Sequence, residues 1–495
     1  MYSIAEIFDN SKQLLDSVDR FIKLYIGSTL LRKCNILKLV DSYTRATVDY
    51  DYCDSPLRNL IGNIETSKIL ENCISAKRLL RDKLLACFAS MSMYFMFKND
   101  MISDYKQDTY YRFDRMPKAN WERLQLETAR NVINDIEDRM SDNHINVLIF
   151  DDSLYQRRRG KGTDLCARVF DHCDHKMRLG YRMMTGGWSN GDVFIPFSQV
   201  LLSTREERNM IGKDDPVDKR TLRGKRRELA KQKGTQVVHS MVQSATEAGI
   251  PFDYVLFDTW FSNPAQLLDL KEIGADVIAM IKKSSTKYIW KDPDTGEFQK
   301  LNTKEIYSRS KKRVGRSKYL LSVEVTVSDA TGREIPARLV YARNTHNRKE
   351  WVCFICTDMS IDEETILRAY SMRWNIETYF KMSKSYLKLR TECHSPSYDA
   401  ITAHMVVVAL RYMILAVERF NNTDNRSIMD LFYQIKREII CDIMDKAIII
   451  IVDALLNSVR KLFNATDKQM KELVCLFIEG LPRDWQQRFM LPADV

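Results

Sequence analysis

Residues 370–384 read YSMRWNIETYFKMSK, and the fold of the chain turns on what this stretch does. It reads as a helix, with Arg373, Glu377 and Lys384 following Tyr370 at offsets of three, seven and fourteen. At about 100° per residue the four side chains fall within an arc of roughly 60°. Such a stripe can be a solvated face, since Arg and Glu four residues apart support a helix by themselves. It becomes one wall of a site if other carboxylates are brought opposite Glu377.

Candidate carboxylates lie upstream. INVLIFDDS (145–153) is a continuous apolar run ending in two aspartates, and FDYVLFDTWF (252–261) is a second run ending in Asp258. Both read as buried strands. Aspartates at the C-terminal ends of such strands stand at the edge where α/β sheets build sites, although either could simply cap the turn that follows. GYRMMTGGW (180–188), DVFIPFSQVLL (192–202) and ADVIAMIK (275–282) supply further strands.

The pattern along the chain divides it into five parts. Residues 1–140 read as helical, as in AKRLLRDKLLACFASMSMYFMF (76–97), and form a candidate DNA-binding region. Within it, residues 103–125 suggest two helices about Pro117 with Lys106, Tyr110, Tyr111 and Arg112 clustered on them. Residues 141–285 form the first part of an α/β core. KYLLSVEVTVSD (318–329), IPARLVYAR (335–343) and WVCFICTD (351–358) make 286–357 a β-rich insertion subdomain. Residues 358–395 return to the core with the striped helix, and 396–495 read as helical, a candidate dimerisation region.

Composition sets broad bounds. The 495 residues allow about two to four domains with a real core. The 45% hydrophobic and 29% charged residues are those of an ordinary soluble globular protein, and the net charge of +10 leans toward polyanions. Eleven scattered cysteines form no disulfide framework. Glu6, Asp9 and Asp16 interrupt any leader-like segment, and the apolar runs 403–417 and 446–456 are broken by Arg411 and Asp453. A cytoplasmic protein with reduced thiols and no membrane span is expected.

Three carboxylates without His or Cys ligands would make a hard-oxygen site suited to Mg²⁺ or Mn²⁺. Two such ions about 4 Å apart support phosphodiester chemistry. The stretch 370–384 resembles the Tyr-x2-Arg-x3-Glu-x6-Lys signature of bacterial DDE transposases of the IS-four group, and all four positions match. The two aspartate blocks resemble the other catalytic blocks of that family, over roughly residues 103–405. Asp152, which directly precedes Ser153, is the better match to its first catalytic residue and Asp258 to its second.

The resemblance implies a ribonuclease H-like catalytic core with a β-strand insertion, flanked by helical regions. It implies a nucleoid-associated enzyme, a homodimer on double-stranded element ends and target DNA. Such an enzyme would cleave with two metal ions held by Asp152, Asp258 and Glu377, through a hairpin, and join 3′-OH ends to the target. Tyr370, Arg373 and Lys384 would hold the DNA backbone, and Trp351 would stack a flipped base. A nuclease without strand transfer, or a domesticated DNA-binding protein, are the alternatives; the second has no need of Glu377.

Two basic runs read as further backbone contacts. They are Arg157, Arg158, Arg159 and Lys161 just after the first aspartates, and Arg223, Lys225, Arg226 and Arg227 within 219–233. Cys166, His172, Cys173 and His175 match no strong zinc spacing. Cys353 and Cys356, an odd offset apart on a strand, face opposite ways.

Overall fold

The computed structural model describes residues 76–88, 92–98, 106–117, 119–140, 144–157, 160–171, 174–314, 317–344, 347, 350–421 and 426–482. Most of the expected N-terminal helical region, together with Arg158, Arg159, His172 and Cys173, lies outside them.

Among the described residues, eleven strands form one sheet. The core strands are β1 (Val147–Gln156), β2 (Ala167–Asp171), β3 (Lys176–Ser189), β4 (Phe194–Leu202), β5 (Tyr254–Phe257) and β6 (Asp276–Ile281). The insertion contributes β7 (Lys287–Lys291), β8 (Phe298–Asn302), β9 (Leu321–Ser328), β10 (Glu334–Arg343) and β11 (Trp351–Cys356). The order is β2-β3-β1-β5-β6-β11-β10-β9-β7-β8, with β4 also on β3. Helices α1 (Ala76–Ala86), α2 (Met93–Lys98), α3 (Gln107–Asp114) and α4 (Trp121–Glu137) precede the sheet. Between strands lie α5 (Leu222–Ala230), α6 (Gly234–Glu247), α7 (Pro264–Glu272) and α8 (Thr303–Arg309). After β11 come α9 (Glu363–Ser371), α10 (Trp374–Ser385), α11 (Tyr398–Asn421), α12 (Ile428–Phe463) and α13 (Asp467–Glu479).

The first four residues of β1 are all buried, as in a strand covered on both faces. β1, β3 and β4 pair antiparallel in sequence. The crossovers through α5–α6 and through α7 then set β5 parallel to β1 and β6 parallel to β5. A parallel neighbour requires such a helical crossover, which explains the helical stretches before and after β5.

The insertion is not a separate sheet. β11 pairs antiparallel with β6, from Cys353 opposite Ile281 to Cys356 opposite Ile278. β5 occupies only one edge of β6, and the other edge carries backbone donors and acceptors that β11 satisfies. One plane of strands therefore runs from the core into the insertion.

The two-helix unit about Pro117 forms, and its apolar side chains join the core. α4 buries Trp121, Leu124, Gln125, Ala129, Val132, Ile133 and Ile136, and the Gln125 amide donates to the Pro196 carbonyl of β4 at 2.8 Å. On α3, Tyr110 is buried and donates its hydroxyl to Asp82 of α1 at 2.5 Å. The apolar stripe of α4 faces the sheet, and its other face keeps polar side chains such as Arg123 at the surface. The apolar helix α11 is a core helix too, its most apolar window entirely buried. By contrast, from 454 to 482, along the end of α12 and through α13, no residue whose burial is described is buried.

Candidate active site

The ladder between β1 and β5 pairs Val147 with Tyr254 and ends at Phe150 with Phe257. One residue further, the same register sets Asp151 beside Asp258 on the same face. The striped helix faces that pair. Arg373 Nη1 lies 3.1 Å from Asp151 Oδ2, and Arg373 Nη2 lies 2.6 Å from Glu377 Oε1. One guanidinium thus joins a β1 carboxylate to an α10 carboxylate. Lys384 donates to the Ser153 hydroxyl, two residues along β1 and therefore on the face of Asp151.

The stripe is not one continuous helix. α9 ends at Ser371 and α10 begins at Trp374, with i→i+3 bonds from Arg373 N–H to the Tyr370 carbonyl and from Asn375 N–H to the Met372 carbonyl, both 3.0 Å. This tight turn seats the Tyr370 ring against Phe354 of β11, centroids 4.7 Å apart, while Arg373 reaches β1. The Tyr370 hydroxyl is buried and lacks a partner in hydrogen-bond geometry. The Asn375 amide anchors the start of α10 by donating to Ser189 Oγ at 2.9 Å and to the Gly191 carbonyl at 3.2 Å. Further along, the Gln199 amide of β4 donates to the Tyr379 hydroxyl at 2.8 Å.

Asp152, expected as the first site carboxylate, is placed differently. Successive strand residues point to opposite faces, so Asp152 leaves the face of Glu377. It pairs with Arg182 of β3, Nε to Oδ2 2.6 Å. Asp151 is the residue brought to the stripe.

The charges at this edge are strained toward protonation. The Asp151 carboxyl is pushed up to about 7 by burial first and then by the charge of Asp258, with Arg373 opposing. Burial and, less strongly, the nearby charge of Asp152 raise Asp258, against the Trp260 N–H that its carboxylate accepts at 2.8 Å and the charges of Arg373 and Lys282. Burial raises the Tyr370 phenol as well.

A family model described as DDE superfamily endonuclease matches residues 71–326, just over half of the 495-residue chain. The chain belongs to the DDE superfamily of endonucleases. No curated protein matches it. Membership implies a ribonuclease H-like core, and the β4-β3-β1-β5-β6 portion of the sheet, three antiparallel strands followed by two parallel ones, has that form. It also supports a transposase- or nuclease-type activity on DNA, for which the superfamily typically uses divalent metal ions.

The donor chemistry of this DDE endonuclease fits such ions: Asp151, Asp258 and Glu377 offer only oxygen, and the first two are like charges held together under burial. Their arrangement is not preformed. Among the described residues, no three His, Cys, Asp or Glu side chains stand grouped as metal ligands, and Glu377 is engaged by Arg373.

The basic runs are largely structural. Arg226 and Arg227 are 6% and 3% exposed. Arg226 binds Glu122 of α4 and Asp399 of α11, the latter at 2.6 Å, and Arg227 binds Asp164 at 2.8 Å. Arg223 lies 3.0 Å from Asp399. Buried guanidinium groups require such carboxylate partners, so Arg226 and Arg227 are held in the core rather than on a backbone-binding face, while the Arg223 side chain remains about one-third exposed. Lys225 and Lys161 are exposed. Arg157 donates to the carbonyls of Cys393 at 2.8 Å and Ser395 at 2.5 Å, tying β1 to the loop after α10. Trp351 is half-buried, stacked on Tyr307 with centroids 4.9 Å apart. Cys166, Cys353 and Cys356 are free, buried thiols.

Three side chains at the edge were not singled out from the sequence. Trp374 directly follows Arg373 and is 64% exposed; Trp260 follows Asp258 by two residues and is 52% exposed. Lys282, at the end of β6, stands over the Trp260 ring. Large aromatics beside catalytic candidates were the available signal.

Proposed function

We propose that this DDE endonuclease is a cut-and-paste transposase of the IS-four type, acting as a homodimer on insertion-sequence ends in the bacterial cytoplasm, in association with the nucleoid. The observation that carries the reading is the Arg373 bridge between Asp151 and Glu377, beside Asp258. Asp151, Asp258 and Glu377 would hold Mg²⁺ or Mn²⁺, two ions per site, which when bound supply activation of the attacking oxygen and stabilisation of the leaving one. Asp151 takes the role that the family pattern gave to Asp152, because it alone of the two shares a face with the stripe.

The remaining residues act on the DNA backbone. The Tyr370 hydroxyl, buried beside Arg373 and making no hydrogen bond in good geometry, is a donor for a phosphate oxygen. Arg373 offers a planar fork to the same phosphate when it leaves the carboxylates, and Lys384, on the Ser153 side, adds a point charge. Hydrolysis at each end frees a 3′-OH, which attacks the opposite strand to close a hairpin and release the flanking DNA; a second hydrolysis opens the hairpin and frees the 3′-OH again, and that hydroxyl attacks the target DNA. The exposed apolar residues Leu462, Phe463 and Leu476 of α12 and α13 are the surface for the second copy.

Purified protein incubated with Mg²⁺ and duplex DNA bearing the element ends tests this. Excised, hairpin-ended and joined products are expected. Nicks without joined products would reduce the function to a nuclease. Asp151→Asn is expected to abolish cleavage and Asp152→Asn to retain part of it; the reverse order would restore Asp152 to the site.

A further inference from the structure

Outside the carboxylate set, α6, α7 and the loop after β4 enclose an open cleft of about 430 Å³. The start of α6 lies at the same edge of the sheet as Asp258. A Cβ on Gly234, the first residue of α6, would stand 3.2 Å from the Phe261 ring, and Phe261 is three residues past Asp258. The helix therefore begins against the turn that Asp258 opens.

The first turn of α6 offers donors and has no cap. Its N-cap residue, Lys233, ends in an ammonium group, which has no lone pair for the N–H groups of Thr235 and Gln236. Those groups have no acceptor within the helix either. The neighbouring α7 differs, because Asn263 caps it by accepting the Gln266 N–H at 3.0 Å. Thr235 and Gln236 both line the cleft.

A second observation points to a ligand. Gln266 is the one lining residue that is buried, at 3% exposed, and its Nε2 finds no acceptor. A buried amide donor left unpaired is costly, and an acceptor seated in the cleft would relieve it. Arg205, also on the lining, is exposed and makes no ion pair among the described residues, whereas nearby Arg208 binds Glu206 at 3.0 Å. The one acid on the lining, Asp269, is held by Arg333 of the β9–β10 turn at 2.9 Å. Uncapped helix N–H groups, an unpaired amide donor and an unpaired guanidinium together match an anion with several oxygens, a phosphate.

We propose that this cleft binds one backbone phosphate of a DNA strand running past the Asp258 turn, apart from the carboxylate set. Arg205 supplies the charge, and Gln266 with the first turn of α6 supplies the oriented donors. The assignment rests on DNA being the substrate. A contact of this kind adds affinity and position without reading bases.

Fluorescence anisotropy of the full chain with a labelled, mixed-sequence duplex of about 30 base pairs, in EDTA and over a series of NaCl concentrations, tests the site without any cleavage step. Arg205→Gln is expected to weaken binding about tenfold and to lower the salt slope by about one counterion, while Arg205→Lys keeps the slope. Gln266→Leu should weaken binding about threefold and yet raise the urea midpoint of the DNA-free protein, because it removes a buried donor that lacks a partner. A lowered midpoint would make Gln266 a structural residue and overturn its role here. Arg205→Gln that binds within twofold of wild type with an unchanged slope would overturn DNA as the ligand. Thermal stabilisation of wild type by inorganic phosphate over chloride at equal ionic strength, absent in Arg205→Gln, would then assign the cleft to free phosphate. These results leave the nuclease reading intact, because that reading is tested by cleavage of duplex DNA in Mg²⁺.

Discussion

Replacing Asp151 by Asn should stabilise the metal-free protein while destroying its activity. The carboxyl titrates near 7 in the folded chain, against about 3.9 when unfolded. A raised carboxyl pKa means that stability is fully present below the unfolded value and is lost as pH rises through the folded one. Between pH 5 and pH 7 the wild type therefore loses about two pKa units of stabilisation, roughly 3 kcal/mol. Asparagine does not titrate, so its advantage over wild type should grow by up to that amount between pH 5 and pH 8. Urea denaturation in EDTA at the two pH values measures it as a shift in midpoint. Asp152→Asn is the internal control, since it weakens a pair with Arg182 and should show no such gain. If the Asp151→Asn advantage were the same at both pH values, the carboxylate would not be under the combined burial and repulsion inferred for it.

Asp258→Asn and Glu377→Gln should each reduce Mg²⁺-dependent cleavage by several kcal/mol, about a thousandfold or more, while duplex binding by gel shift persists; retained cleavage in either would remove that residue from the metal set. Arg226→Ala should destabilise the fold by up to about 3–5 kcal/mol, because it removes the partner of Glu122 and leaves the buried Asp399 with Arg223 alone, whereas Lys225→Ala should be neutral in the same denaturation assay. Combined Leu462→Glu and Phe463→Glu should shift the protein toward monomer in sedimentation velocity, and an unchanged mass would place the dimer contacts elsewhere.

The strands ending in aspartate, the crossover helices and the β-rich insertion were legible because each writes a local pattern: apolar runs for buried strands, alternation and turns for the insertion. The choice between Asp151 and Asp152 was not. β1 is covered on both faces, so apolar periodicity gives no inside or outside, and only the position of α10 selects one aspartate. The arginines of α5 misled for a related reason. Their partners Glu122, Asp164 and Asp399 lie 104, 63 and 173 residues away, and no local window contains them. Likewise the apolar stripe of α4 does not reveal from sequence that β4 covers it. The break at Met372–Arg373 carries no glycine or proline, so nothing in composition announces it.

The join between β6 and β11 bears on how this chain tolerates truncation. An inserted segment is often regarded as a detachable appendage, yet removing residues 286–357 here would strip the partner from β6. That would uncover a raw strand edge next to the carboxylates, bearing the apolar sequence DVIAMI. Bare edges of this kind template pairing with other chains. A shortened protein would meet insolubility before any question of catalysis arose, so the insertion acts as a seam that closes the sheet.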